Sequence, residues 1–309
     1  MAGRSAFRKF LFILCCVLLG SGATTTFAAT NDRGLASVKA LAAAKYTKGL
    51  LWKIESPGAP PSWLFGTIHS EDARVTALPA PVTQALDAAV RFTMEAVVDG
   101  EALVYMAGAM YFSDGRTLEQ VTGKELYAET LKALTARGIP AFGIEKQKPW
   151  AVMMALSMPQ PKSGEYLDLI LQERAARQNK PVTGLETIQK QIAVFDELPL
   201  PDQVALLKEA VHGQATFDKE IDEMIRAYLA RDIAALAEVG TKHKPDDERL
   251  YQAVMDRLLT QRNTRMVERM KPALKDGKAF IAVGAAHLSG EAGLLNLLEK
   301  AGYRVSPVY

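Results

Sequence analysis

The chain holds four histidines, His69, His212, His243 and His287, and three of them close a G-x-x-H tetrapeptide. Gly66-Thr-Ile-His69 and Gly284-Ala-Ala-His287 each follow an apolar run, Trp-Leu-Phe in the first and Phe-Ile-Ala-Val in the second. A histidine just past a buried strand can point into a cleft, and a glycine before it permits unusual φ or close backbone approach. Gly240-Thr-Lys-His243 lacks that context. Gly240 reads as a helix C-cap and His243 stands between two lysines, the pattern of a solvated loop. The preceding strand, not the tetrapeptide, therefore singles out His69 and His287. The competing role for each is a hydrogen-bonded structural histidine. His212 is expected at an exposed helix end.

Two carboxylates occupy similar strand ends. Glu95 closes Phe-Thr-Met and is expected near His69; its alternative is an exposed edge glutamate. Glu186 follows Val-Thr-Gly-Leu, and its alternative is an acid at a helix N-terminus. Val254, Leu258, Met266 and Met270 advance along one helical face, and Arg262 falls on the same stripe. A buried arginine needs a partner, so Arg262 is expected to face a carboxylate or an anionic substrate unless it snorkels at the stripe edge. Asn263 lies on the neighbouring row, between Leu259 and Val267. Two neutral imidazoles and a carboxylate suit a divalent transition metal such as Mn, Co or Zn. Such an ion lowers the pKa of bound water and polarises a carbonyl, which is hydrolytic chemistry. In that reading Arg262, Asn263 and Glu186 orient substrate or stabilise developing charge. The spacing is not H-E-x-x-H, so no zincin helix is implied.

These residues need a scaffold to hold them. Leu51–Glu55 and residues 63–68 read as a hairpin around a Pro-rich loop. Residues 81–90 have helical spacing and 91–98 read as a strand. Residues 118–136 read as a helix ending at Gly138-Ile-Pro140, 141–144 as a short strand, and 149–158 as a helix with Pro in its first turn. Helices follow at 164–178, 202–212, 217–231, 232–239 and 246–270, with strands at 181–185, 278–283 and 303–308 and a helix at 293–301. Strands alternating with helices imply an α/β fold. Strand, histidine turn, helix, strand occurs twice, through His69 and through His287, giving two βαβ-like units. Ligands gather beyond the carboxyl ends of strands in such sheets.

Arg4, Arg8 and Lys9 precede an apolar run, then small and polar residues to Ala29, the layout of a secretory signal. Residues 1–28 are read as a signal peptide and 29–309 as one domain, with an uncleaved anchor as the alternative. The protein is expected to be periplasmic or secreted, with no stable membrane span after cleavage. Both cysteines, Cys15 and Cys16, lie in the signal, which removes cysteine nucleophiles, thiolate sites and disulfides from the mature chain. Losing three basic residues and no acidic ones takes the net charge from +2 to −1, and no basic stripe remains for nucleic acid.

The sequence resembles the TraB/GumN family of exported bacterial proteins, related to the TIKI metalloproteases. The resemblance rests on Leu51-Trp-Lys-Ile54, Leu64-Phe-Gly-Thr-Ile-His69, Glu95, Lys148-Pro-Trp150, Gly184-Leu-Glu-Thr187, Arg262-Asn263 and Val283-Gly-Ala-Ala-His-Leu-Ser-Gly-Glu291, in family order. The usual second motif reads Gly-Ala-Gly-His, and Ala286 departs from it. The resemblance implies a mixed sheet with surrounding helices, and a metal-dependent peptidase-like hydrolase using His69, His287 and Glu95. Its wider superfamily also suggests a non-catalytic binder of a peptide, signal or haem. An accessory of envelope assembly or polysaccharide export is a third reading.

Overall fold

The computed structural model describes residues 45–159, 161–239 and 247–309. The expected signal peptide, both cysteines and the Gly240–His243 motif lie outside them.

Six strands form one sheet: β1 Leu51–Glu55, β2 Ser62–Thr67, β3 Arg91–Met94, β4 Val182–Gly184, β5 Ala279–Gly284 and β6 Arg304–Pro307. Their spatial order is β4-β3-β5-β2-β1-β6. β5 pairs in parallel with β3 on one side and β2 on the other, and β4 is parallel to β3. Only β1 is reversed, antiparallel to β2 in the hairpin and to β6 at the edge. The fold is therefore α/β with a mixed sheet. Every residue of β5 is buried, as expected for a central strand covered on both faces.

Seven helices bear on the site: α1 Ala80–Ala88, α2 Gly100–Ala109, α3 Pro149–Ser157, α4 Leu167–Arg177, α5 Ile188–Asp196, α6 Gln261–Asp276 and α7 Leu294–Lys300. Both βαβ-like units are present, but neither pairs its own two strands. β2 leads through α1 to β3, which lands on the far side of β5; β5 leads through α7 to β6, beyond β2 and β1. Interleaving the units makes their first strands, β2 and β5, neighbours.

Several expected elements differ. The helix over 118–136 divides at Gly123, whose φ of 79° suits a residue without Cβ. Residues 141–144 form no strand, because Gly143 turns left-handed (φ 82°) into a 3-10 turn at Ile144–Lys146. The strand from Arg91 stops at Met94. The helix expected over 246–270 runs as Glu248–Met255, a π turn at Asp256–Thr260, then α6, which continues through Pro272. α2 and α5 were not anticipated. α2 is apolar around most of its circumference, so it lacks the periodicity that identifies an amphipathic helix. Among the described residues no helix is long and apolar enough to cross a membrane.

The apolar interior has two parts. One surrounds the sheet and contains Phe65, Phe92 and Phe280; the other is built by helices around Trp150, Met153 and Phe195. Met94 belongs to the first and Ala96 to the second, so Glu95 sits on the seam.

The first-motif glycine is required by space, since neither Gly66 nor Gly284 has positive φ. A Cβ on Gly66 would lie 2.6 Å from Leu288 Cδ1 and 3.2 Å from Ala285 Cα. Gly66→Ala should therefore push β2 away from the second motif and cost about 1–3 kcal/mol in urea unfolding. An unchanged midpoint would contradict this packing. Ala286, by contrast, lies in a 3-10 turn at Ala285–His287 and its φ is not positive, so no glycine is needed there.

Candidate active site

Four candidate residues line up along the carboxyl edge of the sheet. Glu186 follows β4, Glu95 follows β3, His287 follows β5 and His69 follows β2. These strands are consecutive and parallel, so the row reads Glu186, Glu95, His287, His69. The backbone ladder extends to the glutamates: Leu185 N–H donates to Met94 O (2.8 Å) and Glu186 N–H to Glu95 O (2.7 Å). With strands about 4.8 Å apart, the strand of His69 lies roughly 10 Å from that of Glu95.

Arg262 clasps the two glutamates from α6. Its side chain is fully buried. Nε donates to Glu186 Oε2 at 2.7 Å and Nη2 donates to Glu95 Oε2 at 2.8 Å. The π turn ends two residues earlier and resets the helix register just before this contact. Gln191 of α5 also donates to Glu95 Oε2 (3.1 Å), and Gly284 N–H donates to Glu95 Oε1 (2.5 Å). Burial nevertheless pushes the Glu95 carboxyl up to about 7; Arg262 and Gly284 N–H oppose that rise without cancelling it.

His287 is fully buried. Burial, then the nearby Arg262 charge, holds its pKa well below the usual histidine value, so the ring is neutral. Its tautomer follows from Asn263, whose Nδ2 donates to Ala292 O (2.8 Å) and weakly to His287 O (3.4 Å). The amide oxygen then faces the ring, and His287 Nδ1–H donates to Asn263 Oδ1 at 2.5 Å. Nε2 keeps its lone pair, has no hydrogen-bond partner among the described residues, and stands 3.8 Å from Glu95 Oε1. Holding one ring nitrogen to aim the other is how proteins orient reactive or metal-binding imidazoles.

His69 occupies the rim, with its side chain 24 % exposed. Its ring stacks on Tyr166, centroids 3.9 Å apart at 9°. Nδ1 is 3.4 Å from Asp168 Oδ2, and Thr67 Oγ1 donates to Asp168 Oδ1 at 2.7 Å. His212 is paired rather than exposed: it ends its helix with Nε2 2.9 Å from Glu129 Oε2.

The structure thus joins Glu186, Glu95, Arg262, Asn263 and His287 through direct contacts. Arg262 donates to Glu95 and Glu186, and Asn263 accepts from His287 and donates to Ala292 O, so each is bound to another group of the row. Asp168, Tyr166 and Gln191 are contributors the sequence reading missed. The threonine inside Gly66-Thr-Ile-His69 was a signal for Asp168, since a buried hydroxyl requires a partner.

A cavity of about 400 Å³ opens beside this row. His69, Glu95, Gln147, Asp168 and Gln191 provide its polar groups, and methionines with Trp150 provide much of its wall. The Lys148-Pro-Trp150 segment is pinned there by Asp196, whose Oδ1 accepts from Lys148 Nζ and Trp150 Nε1 at 2.7 Å each.

Two members of the expected metal set fit an ion. The 3.8 Å between His287 Nε2 and Glu95 Oε1 matches the roughly 3–4 Å span of two donors sharing one ion with bonds of about 2.0–2.2 Å. His69 borders the same cavity, but among the described residues no three His, Cys, Asp or Glu side chains converge to hold a metal.

A family model described as the TraB/PrgY/gumN family matches residues 50–307. The chain is 25% identical to the metalloprotease TIKI2 of Danio rerio over 319 aligned positions, covering 84% of this chain and 61% of that protein. It thus spans about three fifths of the length of that relative. It is 28% identical to the uncharacterized protein YbaP of Shigella flexneri, covering 79% of this chain and 90% of that protein. An uncharacterized protein of Treponema pallidum is 21% identical, covering 94% and 87% respectively. No solved structure matches.

Proposed function

The chain belongs to the TraB/PrgY/gumN family, and from that premise we propose that it is an exported metal-dependent hydrolase acting on peptide bonds. The observation that carries this reading is the buried Nε2 lone pair of His287, aimed by Asn263 and facing Glu95 Oε1 at 3.8 Å. A buried nitrogen without a partner is costly unless it has a task. The relatives named metalloproteases support the hydrolytic direction. The basic and apolar start of the sequence supports export.

A divalent ion (Mn, Co or Zn) held by His287 and Glu95 would supply a Lewis acid and an activated water, with His69 across the same cavity facing the substrate. The chain's own groups do the rest. Glu95 would present Oε1 to the ion as a carboxylate; without an ion, burial holds its carboxyl at about 7. Arg262 and Gln191 fix the other oxygen, Oε2, and so fix the direction of Oε1. Asp168 orients His69, and methionines with Trp150 make much of the wall that faces the substrate apolar.

The purified chain should cleave an unfolded protein such as casein when Mn, Co or Zn is supplied, and should stop in EDTA. Saturation of Glu95 by three donors favours a second reading, a binder without turnover. No cleavage with any of the ions, together with intact recovery of a bound peptide, would select it.

A further inference from the structure

The cavity wall points to the class of substrate. Met94 comes from the end of β3, Met106 and Met110 from α2 and its C-terminal end, and Met154 and Met158 from α3 and its end. Five of the chain's 11 methionines thus converge from three elements on one wall, more than background composition supplies. Thioether side chains are flexible and polarizable, and they adapt to apolar groups of varied shape. Trp150 adds a flat aromatic face. The volume of about 400 Å³ falls within the roughly 300–1,000 Å³ of small-ligand pockets.

The charge around the cavity is equally informative. Glu95 and Asp168 are the charged residues that line it, with no lysine or arginine among the lining residues. Arg262 lies nearby, but its guanidinium is buried and committed to Glu95 and Glu186. In the metal-free protein an acidic side chain or a terminal carboxylate would meet repulsion, chiefly from Asp168, and would find no lysine or arginine among the described lining residues. On the outside of α2, Leu103, Val104 and Tyr105 are 51%, 75% and 40% exposed, so the same helix continues an apolar surface away from the cavity.

We propose that this site takes a peptide that seats a bulky uncharged side chain (leucine, methionine or phenylalanine) in the methionine-walled cavity. No acidic residue or free C-terminal carboxylate stands beside the seated residue. The proposal rests on the hydrolase reading for its reaction, but its binding claim stands separately.

The test uses four capped tetrapeptides, Ac-Ala-X-Ala-Ala-amide with X as leucine, phenylalanine, aspartate or lysine. They are titrated into the purified chain in EDTA and followed by calorimetry. The leucine and phenylalanine peptides should bind at least tenfold tighter than the aspartate peptide. Met154→Lys, on a half-buried wall position, should weaken leucine-peptide binding at least tenfold and strengthen aspartate-peptide binding. Equal affinities for all four peptides would overturn the proposal. So would an unaltered preference in Met154→Lys. If that variant does not fold, the ranking on the unaltered protein decides alone. Dodecyl maltoside serves as an alkyl competitor, and binding of it tighter than every peptide would assign the cavity to lipid chains and overturn the peptide claim. Selective binding without cleavage after Mn is restored would remove the hydrolase reading and leave this one standing. Cleavage without selectivity would do the reverse.

Discussion

Arg262→Met should lower the unfolding free energy by about 3–5 kcal/mol, because it strands two buried carboxylates without their cation. For a chain of this size that corresponds to a fall in Tm of roughly 10 °C. Methionine restores most of the packing, so the loss reports on charge more than on a cavity. Arg262 has no exposed surface, and it donates to Glu186 at 2.7 Å and to Glu95 at 2.8 Å. Arg265 compensates Glu186 only in part, since its guanidinium is 4.0 Å from Oε1 and partly exposed, and among the described residues it makes no ion pair with Glu95 that would replace the lost one. The loss should also depend on pH. Burial already raises the Glu95 carboxyl to about 7, with Arg262 the main force holding it down. Removing Arg262 must raise it further. A carboxyl whose folded pKa exceeds its unfolded value favours the fold at low pH and loses that contribution as pH climbs through the folded pKa. The deficit of Arg262→Met should therefore be smaller at pH 5 than at pH 8, read by urea titration in EDTA. Adding Glu186→Gln should recover part of it, since one stranded charge is gone. A deficit below 1 kcal/mol, or one larger at pH 5, would show that the pair is not held as described.

That clasp was visible in the sequence in a way the whole site was not. A charged residue on a row of Val254, Leu258, Met266 and Met270 carries its own contradiction, and burial of the entire row leaves a paired carboxylate as the resolution. Strand-end positions of His69, Glu95, Glu186 and His287 were equally legible, because each follows an apolar run that ends abruptly. Their order across the sheet was not. β5 inserts between β2 and β3 although more than two hundred residues separate it from β2, and no local pattern encodes such a pairing. Glu95 therefore faces His287 directly, while His69, expected beside it, belongs to a strand one place further on. Asp168 and Gln191 are single polar residues on helices, and they acquire meaning only once the sheet edge lies under them. α2 was missed for a reason that bears on function. A helix whose apolar residues both line a cavity and face solvent has no periodicity to read.

His287→Phe should separate the chemistry of the site from its architecture. Phenylalanine keeps a planar aromatic ring at some increase in volume, and it removes both nitrogens. On the Nδ1 side it leaves Asn263 Oδ1 buried without its donor, which costs about 1–3 kcal/mol. That is well below the loss expected for Arg262→Met, so the variant should remain folded at room temperature. On the Nε2 side it removes a lone pair that has no hydrogen-bond partner among the described residues. Effects beyond that cost then report on what Nε2 does for the site. Hydrolysis should fall by at least about a hundredfold, more than the roughly 10–100-fold that losing a group behind a metal ligand costs, and Mn, Co and Zn should no longer raise the Tm. Asn263→Leu is the control for aim. It keeps His287 but frees its Nδ1–H, so the ring can rotate or change tautomer, and both activity and metal-induced stabilisation should fall partway. A folded His287→Phe that still hydrolyses peptide would show that the buried nitrogen facing Glu95 is structural, and the reading built on it would fail. A folded, inactive His287→Phe with an intermediate Asn263→Leu would place the function at Nε2 and its guidance at Asn263.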